Sequence, residues 1–164
     1  MCPPPVQSSR SFASTKTYKD NNMLEQNIHL SNRLEACVND DLFSALIDVL
    51  TGEISVYEEL KKFLITEKNM LVKPAAFAEI NKSNAAKENI ILKARISQEA
   101  RTNLLKKIAR NLDISEEEGN LISLAAFAGA EKGKIIKNLR SALLAITKEI
   151  ETINSDNSSI LDGS

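Results

Sequence analysis

The fold is decided by residues 42–72, LFSALIDVLTGEISVYEELKKFLITEKNMLV. Their apolar side chains recur every three or four positions, which is the spacing of one face of an α-helix. One row with this spacing consists of Leu42, Leu46, Val49, Glu53, Val56, Leu60, Phe63, Glu67 and Met70. A second row lies beside it and consists of Phe43, Ile47, Leu50, Ile54, Tyr57, Leu64 and Leu71. Two adjacent rows form a broad apolar face, so the pattern predicts a long helix that other helices must cover.

Two further long helices follow in the sequence. Pro74 suits the first turn of a helix, where its missing N–H has no partner, and an apolar pattern continues from there to about Asn111. A short turn around Lys73 makes this second helix an antiparallel neighbour of the first. We expect the last helix over residues 131–157, because its apolar residues are spaced alternately three and four apart, as in a coiled coil. This last seam consists of Ile136, Leu139, Leu143, Ile146, Ile150, Ile153, Asn157 and Ile160.

The connection between the second and last helices carries signals for a short helix. Ser115 and Glu118 have the spacing of a capping box, which predicts a helix start. The residues after it, 120–130, are small and apolar and are expected to form that helix. Gly129 and Gly133 lie one helical turn apart, where the missing side chains let two backbones approach, so we expect a tight helix–helix junction.

The composition favours an all-α protein. Aromatic residues make up only 4% of the 164 residues, there is no tryptophan, and Pro74 is the only proline after Pro5. A sheet protein needs turn residues every ~8–12 positions and draws on β-branched and aromatic residues. We therefore predict an elongated antiparallel helical hairpin or bundle of about four helices with coiled-coil-like packing.

Residues 1–40 differ in composition from the rest of the chain. The first 22 residues are rich in Pro, Ser, Thr and Asn and contain little to bury, so a flexible tail is expected. A short amphipathic helix over residues 23–38 is an open alternative to a continuous tail. Its apolar face would consist of Leu24, Ile28, Leu34 and Val38.

The boundary between this tail and the helical bundle is expected at Asn39 and Asp40. Either side chain can accept an unpaired backbone N–H and so act as the N-cap of the long helix that follows. The bundle domain is therefore expected over residues 41–164.

The sequence offers no arrangement of residues for catalysis or metal binding. It contains one histidine, His29, and its two cysteines, Cys2 and Cys37, match no zinc-site spacing. Paired catalytic carboxylates need a pocket that shifts their pKa values, and the acids at 116–118 sit at a predicted helix start. No phosphate-binding glycine loop is present. We expect no enzyme activity, no cofactor and no metal.

Charge and hydropathy give no case for nucleic acid or for a membrane span. The formal net charge is −1, which provides no basic surface for nucleic acid. The first 20 residues lack the apolar core of a signal peptide. The longest uncharged run, Gly119–Ala130, is too short to cross a bilayer. A cytoplasmic protein is therefore expected.

Polar residues within the apolar rows leave two interpretations open. Glu53 and Glu67 in the first helix, and Asn154 and Asn157 in or beside the last seam, either reach water at the helix edge or fix register and partner choice. The pattern alone favours the first interpretation. The basic end of the second helix is interpreted in the same way, with a solvated face favoured over a docking site for an acidic partner. Its residues are Arg95, Arg101, Lys106, Lys107 and Arg110.

Three short motifs resemble the FlgN-type flagellar export chaperones. The opening helix of that family is similar to the first long helix, through Glu53, Tyr57, Leu60, Glu67, Lys68 and Leu71. A second motif is Lys87-Glu88-x-Ile-Ile-Leu, followed by Arg101. The third is Glu149-Ile150-x-x-Ile153-Asn154-x-x-Asn157, with Ile160 and Leu161 at its end. The motifs occur in the family's order, and the resemblance covers about residues 42–161.

The resemblance implies a cytosolic chaperone that binds the amphipathic C-terminal helix of hook–filament junction proteins. Such a protein prevents premature assembly of its client and delivers it to the flagellar type III export gate and its ATPase components. An amphipathic client helix needs an apolar groove to receive it. The candidate partner-binding surface on the last helix consists of Ile146, Ile150, Ile153, Asn154, Asn157, Ile160 and Leu161.

A structural coiled-coil homo-oligomer or scaffold is the alternative function. In that case stable self-association would use up the seam residues and leave no site for a foreign helix. Asn154 and Asn157 favour regulated pairing over a permanent apolar core, so a monomer or weak dimer is expected.

Overall fold

The computed structural model describes the backbone of residues 11–73 and 77–163, and the surroundings of the side chains of residues 20–73 and 78–163. This part of the chain contains the helices α1 (Ser11–Leu71), α2 (Phe77–Asn111), α3 (Leu121–Ala125) and α4 (Ala130–Asp162). No strand occurs within it, and the helices share one apolar core, so the predicted all-α bundle is confirmed. The chain divides into two units, residues 1–38 and 39–164, and the core lies in the second.

Charged side chains show how α1 and α2 run in the bundle. Arg101 Nε lies 3.3 Å from Glu53 Oε2, and Lys87 Nζ lies 2.9 Å from Glu67 Oε1. From Glu53 to Glu67 the pairing advances two heptads along α1, whereas from Arg101 to Lys87 it goes back two heptads along α2. The two helices are therefore antiparallel, as expected for neighbours joined by a short connection.

The last helix, α4, runs parallel to α1. Lys61 pairs with Glu149, and Lys68 pairs with Asp156 at 2.7 Å. One heptad along α1 therefore matches one heptad in the same direction along α4. Within residues 39–164 the long helices form an up-down-up bundle, and α3 lies in the connection that leads from α2 to α4.

The buried seam of α1 runs between the two apolar rows of its sequence. Its members come alternately from the two rows and are spaced three and four residues apart, as in a coiled coil. They are Phe43, Leu46, Leu50, Glu53, Tyr57, Leu60, Leu64 and Glu67. Residues on the outer edges of the rows, such as Ile54 and Phe63, are only partly buried. Complete burial of a leucine side chain contributes about 1.5–3 kcal/mol, so this seam is a major source of bundle stability.

The predicted N-cap at Asn39 and Asp40 is wrong, because α1 begins at Ser11 and passes through both residues. Asp40 has another partner, since Lys132 Nζ donates to its carboxylate and, at 3.1 Å, to its carbonyl oxygen. An aspartate whose side chain is engaged elsewhere does not compete with the helical backbone. The alternative helix over 23–38 lies within α1. Residues 1–10 lie outside the described part of the chain, and the flexibility of the tail stays a prediction.

The C-terminus of α2 turns the chain with a Schellman motif. Ile114 N–H donates to the Ala109 carbonyl at 3.1 Å, and Asp113 N–H donates to the Arg110 carbonyl at 3.2 Å. Asp113 supplies the left-handed residue of this motif, with a φ of 54°. The predicted start of this helix at Pro74 lies outside the described residues, and α2 begins at Phe77.

The short helix α3 starts later than the sequence predicts. Residues 115–118 form a turn in which Glu118 N–H donates to Ser115 Oγ at 3.2 Å. The N-cap of α3 is Asn120, whose Oδ1 accepts from the backbone N–H groups of Ile122 and Ser123 at 3.1 and 3.0 Å. The prediction of Ser115 as the cap is therefore wrong, and α3 is shorter than the expected helix over 120–130.

Gly133 forms the predicted tight junction between α3 and α4. A Cβ atom at this position would lie 2.4 Å from the carbonyl oxygen of Ala125, which is a backbone atom with no side-chain freedom to move away. Gly129 has a different role, because it is the N-cap of α4 and has a φ of 82°. Close approach of the two backbones at Gly133 fixes where α4 starts relative to α3.

We predict opposite effects of glycine-to-alanine substitution at two helical positions. Gly133→Ala should lower the free energy of unfolding by about 1–3 kcal/mol, because the new methyl group meets the Ala125 carbonyl. Gly52→Ala should raise it by up to ~1 kcal/mol, because Gly52 lies inside α1 with open space around it and alanine is the better helix former. Urea unfolding of both variants checks the signs, and destabilisation by both would contradict this account of Gly133.

Candidate functional site

The seven residues of the predicted partner-binding surface are divided between the core and the surface. Ile146 and Asn157 are buried, and three others are partly buried, namely Ile150, Ile153 and Ile160. Asn154 is exposed, and Leu161 is 57% exposed. The inward side of this set faces the bundle's own core, which includes Ile146 and against which Ile150 and Ile153 pack. The assignment of the seven to partner binding stays a prediction.

Asn157 belongs to a polar layer that joins all three long helices of the bundle. Its Nδ2 donates to the Leu64 carbonyl and to Glu67 Oε2, both at 3.0 Å. Lys87 Nζ on α2 donates to both carboxylate oxygens of Glu67, at 2.9 and 3.0 Å. We call Glu67, Lys87 and Asn157 the Glu67 layer. A buried carboxylate with donors on two other helices holds both in register with α1.

A second layer lies two heptads away and consists of Glu53, Tyr57 and Arg101. The side chain of Glu53 is fully buried, and its contact with Arg101 Nε at 3.3 Å is an ion pair. Neither carboxylate oxygen of Glu53 has a partner among the described residues at hydrogen-bonding distance and angle. We call this set the Glu53 layer.

Burial dominates the electrostatics of the Glu53 layer. Loss of solvation raises the pKa of Glu53 above its ordinary 4.5, although Arg101 and the nearby Tyr57 hydroxyl oppose the rise. Burial also raises the pKa of Tyr57, and the Glu53 carboxylate beside it adds to this effect. The ion pair with Arg101 therefore offsets only part of the cost of burying the Glu53 carboxylate.

Both glutamates overturn the interpretation that the sequence favoured. They do not reach water at a helix edge, because Glu53 is 0% and Glu67 is 7% exposed. The signal that would have revealed their pairing is the matched spacing on the second helix, where Lys87 and Arg101 are also two heptads apart. Register and helix choice are thus the structural roles of these polar seam residues.

The basic end of α2 is mostly occupied by interactions within the bundle. Arg101 faces the buried Glu53. The Glu116 carboxylate forms ion pairs with Arg110 Nη2 at 2.9 Å and with Lys106 Nζ at 3.7 Å. The hydrogen bond from Arg110 lowers the pKa of Glu116. These contacts support the solvated, internally paired face over a docking site for an acidic partner.

An open groove runs along the outer side of α4. Its lining residues are Ala145, Lys148, Glu149, Thr152 and Ile153. Glu149 also pairs with Lys61, so one edge of the groove lies next to α1. Ile153 is the one residue shared by this groove and the predicted partner-binding surface. The sequence pattern does not reveal the groove, because Ala145 and Thr152 stand outside the apolar seam.

The described residues show neither a metal centre nor a membrane span. No three side chains of the His, Cys, Asp and Glu types come together there in a way that suits a metal ion. None of the described helices is both long enough and apolar enough to cross a bilayer.

The Glu53 layer predicts a specific pH dependence of stability. A raised pKa means that the folded chain binds the Glu53 proton more tightly than the unfolded chain does. This contribution to stability is full below the ordinary value of 4.5 and is lost as the pH rises through the raised pKa. The free energy of unfolding of the unsubstituted chain, minus that of Glu53→Gln, should therefore fall as the pH rises. The fall is about 1.4 kcal/mol for each pH unit that separates the folded from the unfolded pKa.

Urea unfolding between about pH 4 and pH 8 measures this difference. Glu53→Met is the control, since it also lacks the titrating group but differs from Gln in polarity. Both variants should give the same pH dependence relative to the unsubstituted chain, with different absolute stabilities. Curves for the unsubstituted chain and Glu53→Gln that run parallel over this range would contradict the raised pKa.

The comparisons with known proteins give a family and nothing closer. A family model described as FlgN protein matches residues 42–164, which include the bundle from the start of its buried seam onwards. No curated protein and no solved structure matches the chain. The match covers well over half of the 164 residues and agrees with the family to which the three motifs pointed. The chain therefore belongs to the FlgN family.

Proposed function

We propose that this protein is a cytoplasmic flagellar export chaperone. It binds the amphipathic C-terminal helix of hook–filament junction proteins, prevents their premature assembly and aids their delivery to the type III export gate and its ATPase. The observation that carries this proposal is the family match over residues 42–164. The action is binding, with no catalytic step.

The surface of α4 supports this proposal. An amphipathic helix binds by laying its apolar face into an apolar groove formed by a neighbouring helix. The lining of the α4 groove combines the apolar side chains of Ala145 and Ile153 with Lys148, Glu149 and Thr152. We therefore propose that the client helix lies along this groove.

The buried members of the predicted surface have an indirect role in this proposal. Ile146 packs in the core, and Asn157 donates to α1 through its Nδ2 atom. They hold α4 in place, and the client meets the outer side of the same helix. Ile150 is partly buried and packs against the core, so a charge at that position would disturb folding as well as binding.

Two matched substitutions on α4 test this site. Thr152→Arg places a long charged side chain in the groove and should weaken client binding at least tenfold, about 1.4 kcal/mol. Ser158→Arg adds the same side chain at an exposed residue on a different face of α4, outside the groove lining, and should leave binding unchanged. Titration calorimetry with peptides that carry the C-terminal helices of hook–filament junction proteins measures the affinities.

The outcomes separate the site from the function. Unchanged binding by Thr152→Arg, with a helical circular dichroism signal and melting temperature equal to those of Ser158→Arg, would place the client elsewhere on the bundle. Absence of binding by the unsubstituted chain to every junction-protein peptide would overturn the proposed client class itself.

A further inference from the structure

Residues 20–38, which we call the arm, carry several large apolar side chains that are exposed. Every side chain of the arm is exposed. Its large apolar residues are Met23, Leu24, Ile28, Leu30, Leu34 and Val38, and each is between 48% and 66% exposed. The family match begins only at residue 42, so client binding common to the family does not account for these side chains. Exposed large apolar side chains that cluster on one segment mark an interaction surface.

The arm carries the seam of a short coiled coil. Met23, Asn27, Leu30, Leu34 and Cys37 follow one another at intervals of four, three, four and three residues. We call these five residues the arm seam. The next seam positions in either direction are Asp20 and Asp41, so the apolar pattern is limited to two heptads.

We propose that the arm seam pairs with the arm seam of a second copy of this chain, parallel and in register. Asn27 decides the occupant, because a seam asparagine needs an amide opposite it to satisfy both its donor and its acceptor. A second copy aligned in parallel brings its own Asn27 to the same level. The same alignment brings the two Leu30, the two Leu34 and the two Cys37 side chains face to face.

The charges of the arm argue against a membrane surface as the occupant. The arm has three acidic residues, Asp20, Glu25 and Glu35, and one basic residue, Arg33. A helix that lies on an anionic bilayer has a polar face rich in lysine and arginine. None of these charged residues belongs to the arm seam between Met23 and Cys37. Like charges therefore do not meet at the seam when two copies pair in parallel.

The length of the seam sets the strength of the association. Two heptads bury few side chains, so the dimer forms reversibly and depends on protein concentration. This agrees with the expectation of a monomer or weak dimer from the sequence.

Sedimentation equilibrium and disulfide crosslinking of the full chain test the pairing. In a Cys2→Ser background Cys37 is the only cysteine, and mild oxidation should give a crosslinked dimer because parallel pairing places both Cys37 residues at one level. Leu30→Asp should raise the dimer dissociation constant at least tenfold and lower the crosslink yield in proportion. Asn32→Asp, which adds the same charge to the arm at an exposed position off the seam, should change neither.

Three results would overturn the proposal. The first is a chain that stays monomeric up to a concentration of about 1 mM, and the second is a dimer that Leu30→Asp leaves intact. The third is a dimer that is sensitive to Leu30→Asp but gives no Cys37 crosslink, which would rule out the parallel register. Binding of client peptides by Leu30→Asp should equal that of the unsubstituted chain, so the result is independent of the proposed chaperone function.

Discussion

The bundle is constrained by two carboxylates that lie in the apolar seam of α1. Glu53 and Glu67 are buried at the same depth as the leucines around them, and a buried charge without a partner destabilises a fold by several kcal/mol. Each therefore requires a base on a neighbouring helix, and the two bases have to be two heptads apart in the reverse direction. Arg101 and Lys87 meet that requirement only when α2 is antiparallel to α1 in one register. The apolar residues of the seam would tolerate a shift of one heptad, whereas the ion pairs do not.

The same constraint reaches α4 through a single amide. Asn157 donates to Glu67 and to the Leu64 carbonyl, so the Glu67 layer sets the axial position of α4 as well as that of α2. The pairs Lys61–Glu149 and Lys68–Asp156 repeat this alignment at the surface. Exposed ion pairs contribute little to stability by themselves. The buried layer carries the register, and the surface pairs are consistent with it.

Sequence periodicity predicts the long helices well because burial enforces it. The broad apolar face over 42–72, the antiparallel second helix and the coiled-coil spacing of the last helix all correspond to elements of the bundle. Predictions that rest on local capping failed where a side chain found a tertiary partner or a better cap was available. Asp40 pairs with Lys132 while α1 continues through it, and Asn120 rather than Ser115 caps α3.

The pairing of Glu53 with Arg101 could not be found by reading each helix alone, because it depends on the alignment between two helices. Of the candidate surface, the sequence identified the seam of α4 but not its outer groove, since Ala145 and Thr152 carry no periodic signal.

The close contact at Gly133 has a mechanical consequence for the far end of α4. Backbone atoms of α3 and α4 touch there with no side chain between them, so that corner cannot yield without a clash. From Gly133 to Leu161 the helix extends for ~42 Å at 1.5 Å per residue. A tilt of about 3° around that corner moves the distal end by ~2 Å, while the first turns remain almost stationary. The buried hydrogen bonds from Asn157 to the Leu64 carbonyl and to Glu67 oppose such a tilt, so α4 is held near both ends, by backbone contact at Gly133 and by the Asn157 amide.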